Sequence, residues 1–234
     1  MAGVADLVFL LDATGSMGKC INRVKENINT FITTMTTPND NGELTVRDWR
    51  ARVVGYRDYD SDGDDKWFID HPFTNDVAEL RRQLEDVKAS GGGDEPESLL
   101  DALHKLATGG ESDVQASAPD PQKWRDRHEA VRVIVVFTDA SSHPTMSYPG
   151  AAGQDVEAVI NELAAHKIVL YLFAPEHDLY DQLSETPKSE YTPCGRVGEK
   201  SDASLGEVTS DPEKFTKLMI ALAKSVSKSA TVEC

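Results

Sequence analysis

Residues 4–18 read VADLVFLLDATGSMG, and this stretch decides the fold. Its first part, Val4 to Leu11, is an apolar run of the kind typical of a strand buried on both faces of a sheet. From Met17 onward, apolar residues recur at helical spacing, and this stripe ends before Pro38. The stretch therefore predicts a buried strand followed directly by an amphipathic helix.

Oxygen-bearing side chains occupy alternate positions at the junction of this strand and helix. Asp12 supplies a carboxylate, and Thr14 and Ser16 supply hydroxyls. Mg²⁺ and Mn²⁺ prefer carboxylate, hydroxyl and water oxygens over nitrogen or sulfur, so the junction is a candidate site for a hard cation. Taken alone, the same residues are also typical of a helix cap, because Asp, Ser and Thr satisfy the free amides at a helix start. Further ligands must come from other segments.

Strand patterns and amphipathic helix patterns alternate along the rest of the chain. The later predicted strands cover residues 49–57, 67–73, 131–137 and 168–174. The first two of these strands read as a hairpin around an acidic turn. The whole order predicts an α/β fold with a doubly wound, mostly parallel sheet, one antiparallel edge strand and helices on both faces. We expect residues 1–234 to form a single domain with surface insertions near 109–130 and 185–210.

Charge and composition exclude several classes of function. The net charge of −16 over 234 residues repels phosphate backbones and anionic lipids, so we expect neither nucleic-acid nor membrane-surface binding. No apolar run approaches the roughly 20 residues of a membrane-spanning helix, and the first residues carry no basic leader. Cys20, Cys194 and Cys234 show no paired spacing, so reduced thiols are expected. Together these features predict a cytoplasmic location.

Two further segments bear oxygen ligands. They are GGGDEPE at residues 91–97 and FTDA at residues 137–140, which ends the clearest predicted strand. In a doubly wound sheet the functional crevice lies beyond the carboxyl ends of the strands, so Asp12 and Asp139 are expected at the same edge. Taken alone, a run of glycines followed by Asp is also typical of a turn and a helix cap.

In this order the three segments resemble the von Willebrand factor type A domain, and the resemblance covers nearly the whole chain. That family has a metal-ion-dependent adhesion site made by D-x-S-x-S after the first strand, a Thr in a later loop and an Asp that ends the fourth strand. The resemblance implies that Thr14 and Ser16 bind a metal through their hydroxyls and that Asp12 and Asp139 bind it directly or through water. Thr14 replaces the commoner Ser, and both offer one hydroxyl oxygen.

The third loop departs from the usual family pattern. It has Gly-Gly-Gly-Asp where many members have their Thr, and it resembles the Gly-Gly-Gly-Asp-x-Pro-Glu variant of hemicentin-like and some microbial members. Asp94 is therefore the candidate ligand in this loop, with Glu95 as the alternative. The resemblance implies Mg²⁺ as the bound ion, with Mn²⁺ or Ca²⁺ as alternatives.

Two functions follow from these resemblances. The first is a non-enzymatic, divalent-metal-dependent protein-interaction module, in which a Glu or Asp side chain of another protein completes the coordination of the metal. The alternative is a Mg²⁺-dependent, phosphatase-like α/β enzyme that uses Asp12 as nucleophile, as in the haloacid-dehalogenase group. Enzymes of that group have D-x-D at this point and also a conserved Lys. Here position 14 is Thr, and Lys167 is no clear match for that Lys. The interaction module is therefore favoured.

Other acidic and histidine residues give weaker signals. The motif Asp58-x-Asp60-x-Asp62-Gly63 resembles the start of a calcium loop, but Ile69 stands at its twelfth position, so we expect a solvated hairpin turn. His143 follows Asp139 closely and is either at the rim of the site or an exposed loop residue. The other histidines show no shared ligand spacing and are not expected to bind metal; they are His71, His104, His128, His166 and His177.

Overall fold

The computed structural model describes residues 3–38, 42, 46–91, 95–196 and 204–231. These residues form six strands: β1 (Gly3–Asp12), β2 (Val46–Tyr56), β3 (Phe68–Asp70), β4 (Val131–Phe137), β5 (Ile168–Ala174) and β6 (Glu190–Pro193). The described helices are α1 (Gly18–Thr36), α2 (Tyr59–Asp62), α3 (Val77–Asp86), α4 (Leu99–Ala107), α5 (Val156–Ala165), α6 (Asp178–Leu183), α7 (Leu205–Ser210) and α8 (Pro212–Thr231). A 3₁₀ turn, Gly15–Met17, joins β1 to α1.

The strands form one sheet in the order β3-β2-β1-β4-β5-β6. Every neighbouring pair is parallel except β2 and β3, which are antiparallel. The predicted fold class, including the single antiparallel edge strand, is confirmed. Because the chain passes from β1 to β2 on one side and later places β4 on the other, the strand order reverses at β1. This reversal opens a crevice at the carboxyl ends of β1 and β4.

Side chains of β1 point alternately into two helical layers. Leu7 and Phe9 belong to the core that β1 shares with α1, α3, α7 and α8. Val8 and Leu10 belong to the opposite core, which includes α4, α5 and α6. All four side chains are fully buried, and each contributes about 1.5–3 kcal/mol through the apolar surface it removes from water. β1 is therefore the central strand of the fold.

A buried ion-pair cluster lies at the opposite end of β1 from the crevice. Asp6 is fully buried and accepts hydrogen bonds from Arg50 Nη2 and Arg125 Nε, both at 2.7 Å. Arg125 and its neighbour Trp124 are themselves buried. Residues 109–130 were expected to be a surface insertion, but this stretch also supplies part of the interior and a charge partner for Asp6 of β1.

Helix ends, cysteines and helix lengths give further detail of the fold. The Asp76 side chain caps α3 by accepting a hydrogen bond from the Ala78 amide at 2.8 Å. The next helix, α4, begins at Leu99. Cys20 and Cys194 are both buried free thiols. None of the described helices combines the length and the apolar character needed to cross a membrane.

Candidate metal centre

The carboxyl ends of β1 and β4 bring the predicted acidic residues to one edge of the sheet. Leu11 of β1 pairs with Phe137 of β4, so the residues that follow each strand lie side by side. Thr138 Oγ1 donates a hydrogen bond of 2.8 Å to Asp12 Oδ2 across this gap. The register of two parallel strands thus places Asp12 and Asp139 in the same crevice.

Hydrogen bonds link the four described candidate ligands into one chain of oxygens. Asp12 Oδ1 accepts from the Thr14 amide at 2.9 Å and from Thr14 Oγ1 at 2.6 Å. Thr14 Oγ1 lies 3.4 Å from Ser16 Oγ, which in turn donates to Asp139 Oδ1 at 2.9 Å. The fifth candidate, Asp94, lies outside the described residues.

Burial of this site disfavours the ionised forms of the Asp12 and Asp139 carboxylates. Asp12 is fully buried, and burial raises its pKa to about 6 although hydrogen bonds from Thr14 and Thr138 oppose the shift. Repulsion from Asp139 adds to the rise. Burial likewise raises the pKa of Asp139, against a lowering effect of the hydrogen bond from Ser16. A divalent cation would favour the ionised form of both groups.

Glu97 is a further buried carboxylate at this edge, and it was not among the predicted ligands. It is 3% exposed, and its Oε2 atom has no hydrogen-bond partner among the described residues. Burial raises its pKa to about 8, and repulsion from Asp12 and then Asp58 adds to the rise. An orphaned carboxylate oxygen in a set of oxygen donors fits a hard divalent cation, since native structures rarely leave such groups unpaired.

The main chain fixes Glu97 beside the loop that follows β4. The Glu97 amide donates to the Ser141 carbonyl at 2.9 Å, and the His143 amide donates to the Glu97 carbonyl at 3.0 Å. Burial raises the pKa of Glu95, repulsion from Asp139 adds to the rise, and hydrogen bonds with Ser141 oppose it. The sequence signal for Glu97 is that it is the Glu of the Gly-Gly-Gly-Asp-x-Pro-Glu pattern, three residues beyond Asp94.

A second polar cluster adjoins the first. Asp58, Asp60 and His143 present one ligand atom each, and these atoms all lie within 4.8 Å of one another. His143 Nε2 is 2.9 Å from Asp58 Oδ1, which also accepts a hydrogen bond from Ser98 Oγ at 3.1 Å. Burial acts to raise the pKa of Asp58, but hydrogen bonds from Ser61 and His143 outweigh it, and the pKa is lowered.

This arrangement corrects the expectation of a solvated hairpin turn at Asp58–Gly63. Tyr59–Asp62 forms the short helix α2, and Asp58 is only 3% exposed. The Asp58 side chain caps the helix by accepting from the amides of Asp60 and Ser61. The acidic pattern in the sequence did not reveal the burial of Asp58, because its other partners, Ser98 and His143, are distant in sequence.

A groove lies on the solvent side of the first cluster. Ser16 and Lys19 are exposed there, whereas Met17 is buried beneath them. The groove extends from Asp139 to α7; its lining includes Gly15, Ser16, Met17, Lys19, Asp139, Leu205, Glu207 and Thr209. The edge of the sheet therefore offers oxygen donors at its base and a recess in which another molecule could lie.

Comparison with known proteins agrees with this fold. The family description von Willebrand factor type A domain matches residues 6–210. None of the curated proteins matches the sequence significantly. Among solved structures, the isolated VWA domain of SpRpn10 superposes with a TM-score of 0.50 at 11% identity, covering 88% of this chain and 93% of that chain.

Two larger proteins also contain a similar fold. Proximal thread matrix protein 1 from the mussel byssus gives a TM-score of 0.51 at 15% identity, covering 95% of this chain and 46% of that chain. The pilus adhesin SpaC from Lactobacillus rhamnosus GG, in its open conformation, gives 0.54 at 11% identity, covering 98% of this chain and 30% of that chain. This chain thus spans less than half the length of either protein, and at these identities the likeness shows the fold alone.

Proposed function

This chain belongs to the von Willebrand factor type A family, and we propose that it is a protein-interaction module that depends on a divalent metal. Domains of this family are generally interaction modules rather than enzymes. The observation that carries the metal dependence is the hydrogen-bonded series Asp12, Thr14, Ser16 and Asp139 at one crevice of the sheet. Mg²⁺ fits these hard oxygen donors best, with Mn²⁺ or Ca²⁺ as alternatives.

Each residue of the proposed site has a distinct part in it. Thr14 and Thr138 hold the Asp12 carboxylate in one orientation, and Ser16 does the same for Asp139. Asp12 lies at the buried base, whereas Ser16 is exposed, so the open side of the site faces solvent. A bound ion would supply positive charge and a coordination position for the Glu or Asp side chain of a partner protein.

The third-loop ligand in this proposal remains Asp94, with Glu95 as the alternative. Glu97 joins them as a further carboxylate, because its unpaired oxygen is buried in the same region. Several carboxylates around one divalent ion leave the site with excess negative charge, which repels an incoming acidic side chain. We therefore expect the partner's acidic residue to be flanked by basic residues, which would also suit the acidic surface of this chain.

The observations weigh against the phosphatase-like alternative. An Asp nucleophile needs a carboxylate oxygen that can reach phosphorus, but Asp12 is fully buried. Both of its oxygens accept hydrogen bonds, Oδ1 from Thr14 and Oδ2 from Thr138. The proposal therefore includes no enzymatic activity.

It also retains the expectations of a single domain and of a cytoplasmic location, the latter supported by the free thiols of Cys20 and Cys194.

An acidic peptide library tests this function. Immobilised protein should retain peptides that contain Glu or Asp beside Lys or Arg in the presence of Mg²⁺, and EDTA should release them. The same peptides with Gln or Asn in place of the acidic residue should not bind. Asp139→Ala should abolish retention, whereas the exposed-site control Asp113→Ala should not. Equal retention with Mg²⁺ and with EDTA would contradict metal-dependent binding.

A further inference from the structure

We propose that Asp58, Asp60 and His143 form a second cation site, separate from the one at Asp12 and Asp139, and that it takes Zn²⁺. The three ligand atoms lie within 4.8 Å of one another. A Zn²⁺ ion about 2.0–2.2 Å from each atom requires ligand atoms roughly 3–4 Å apart, so small side-chain movements would complete the site. This inference goes beyond the proposed adhesion function and does not depend on it.

The position of the cluster in the fold makes the ligand set well defined. Asp58 is 3% exposed and is fixed by Ser98 Oγ at 3.1 Å, so one ligand is rigid. Asp60 Oδ2 accepts a hydrogen bond from Ser147 Oγ at 2.9 Å, which restrains the second. His143 is held by its amide, which donates to the Glu97 carbonyl. Asp60 is exposed, which leaves room for water at a fourth coordination position.

Asp62, on the same helix α2 as Asp60, adds unbalanced negative charge beside this cluster. Glu97, the further carboxylate of the first site, is 3% exposed, its Oε2 atom lacks a hydrogen-bond partner among the described residues, and it is repelled by Asp12 and then by Asp58 and Asp62. Asp62 Oδ2 is likewise buried without a described partner. The nearby Arg57 guanidinium donates instead to the carbonyls of Ala13, Lys66 and Lys88 and to the Ser90 hydroxyl. A cation between Asp58 and Asp60 would offset this excess of negative charge.

The identity of the ion follows from the donor atoms. A set of one imidazole nitrogen and two carboxylate oxygens suits borderline first-row ions, whereas Mg²⁺ is best held by oxygen alone. Zn²⁺ commonly takes three protein ligands of these types with water at the fourth position. The two neighbouring clusters therefore differ in chemistry: oxygens only at Asp12 and Asp139, and mixed nitrogen and oxygen at Asp58 and His143.

The test titrates Zn²⁺ into the Asp139→Ala variant, in which the adhesion site has lost a ligand. This protein should still bind one equivalent of Zn²⁺ tightly, and adding His143→Ala should weaken that binding at least tenfold. His128→Ala is the matched control, because His128 Nδ1 also lies 2.9 Å from a carboxylate, that of Asp126, but at an exposed site. Unchanged Zn²⁺ affinity in the His143→Ala protein would overturn the proposal, as would the absence of tight binding before that change.

Two further measurements guard against a variant that fails to fold. Asp60→Asn preserves the size of an exposed side chain, and it should weaken Zn²⁺ binding while the melting temperature without metal stays unchanged. In the wild-type protein, the ring signals of His143 in a nitrogen-edited NMR spectrum should shift on addition of one equivalent of Zn²⁺. Shifts confined to other histidines would assign the ion elsewhere and refute the site. Because all these readouts use Zn²⁺ without a protein partner, failure of the adhesion function leaves them valid.

Discussion

Ser16 and Asp139 are 123 residues apart in sequence, yet Ser16 Oγ donates a hydrogen bond of 2.9 Å to Asp139 Oδ1. This contact joins the turn after β1 to the turn after β4. It is possible because the two strands are parallel neighbours and end at the same edge of the sheet. The proposed metal site is therefore a direct product of the sheet topology.

Metal binding should depend on pH because the ligands must lose protons. The pKa of Asp12 is raised to about 6, so in the metal-free protein Asp12 is mostly protonated below that pH. Mg²⁺ must then displace this proton, and its affinity should fall up to about tenfold for each pH unit below about 6. Calorimetric titrations at several pH values measure this. An affinity that is the same at pH 5 as at pH 7 would contradict the assignment of Asp12.

Glu97 should make the metal-free protein less stable as pH rises. Its pKa is raised from 4.5 to about 8, so the folded state binds more protons than the unfolded state between these values. The stabilising contribution of protonated Glu97 is complete below about pH 4.5 and is lost as pH rises through about 8. We expect Glu97→Gln to stabilise the metal-free protein at pH 8.5 by about 1–3 kcal/mol, since the amide carries no charge.

Urea unfolding in EDTA at low and high pH measures this effect of Glu97. The gain in the Gln variant should be present at pH 8.5 and smaller at pH 5, where the wild-type carboxyl is protonated. Equal stability of the two proteins at both values would show that Glu97 is not the destabilising group.

The buried ion pairs of Asp6 should be important for stability. Asp6→Ala leaves the buried guanidinium groups of Arg50 and Arg125 without their carboxylate, which costs about 3–5 kcal/mol. Asp48 is a matched control, because it also pairs with Arg125 but its side chain is 54% exposed. Asp48→Ala should cost no more than about 1 kcal/mol. Chemical denaturation of both variants measures the difference, and equal losses would contradict the buried role of Asp6.

Asp94→Thr separates two roles for the third loop. If Asp94 binds the metal, loss of its carboxylate should weaken Mg²⁺ affinity about tenfold or more, because one negative charge leaves the site. If Asp94 serves only as a cap for the following helix, the change costs about 1 kcal/mol of stability and leaves metal affinity alone. We expect the weakened affinity. Calorimetry and thermal melting on the same samples distinguish the two outcomes.

Local sequence patterns predicted five of the six described strands and one edge of the site, but not β6, which lies in the stretch expected to be an insertion. The apolar runs that became β1 and β4 indicated buried parallel strands, and polar residues at their carboxyl ends had to meet. The juxtaposition of Asp12 and Asp139 followed from this rule alone. Thr14 and Ser16 were predictable for the same reason, because they follow β1 in the same turn.

Contacts between distant loops could not be predicted in this way. The pairing of Asp58 with His143 joins residues 85 apart in sequence, and nothing in either local pattern encodes it. The burial of Glu97 depends on its bridge with Ser142 in another loop, so the residue resembles any surface Glu in the sequence. Arg125 was likewise indistinguishable from a solvated residue until the fold placed it against Asp6.

Calorimetric titration of Mg²⁺ into metal-stripped protein tests the proposed site most directly. The wild-type protein should show saturable binding of one ion, and so should the surface control Asp113→Ala/Ser117→Ala. The triple variant Thr14→Ala/Ser16→Ala/Asp139→Ala should remain folded by circular dichroism and show no saturable binding, because it lacks two hydroxyls and a carboxylate of the proposed site. A folded triple variant that binds Mg²⁺ with wild-type affinity would contradict the account.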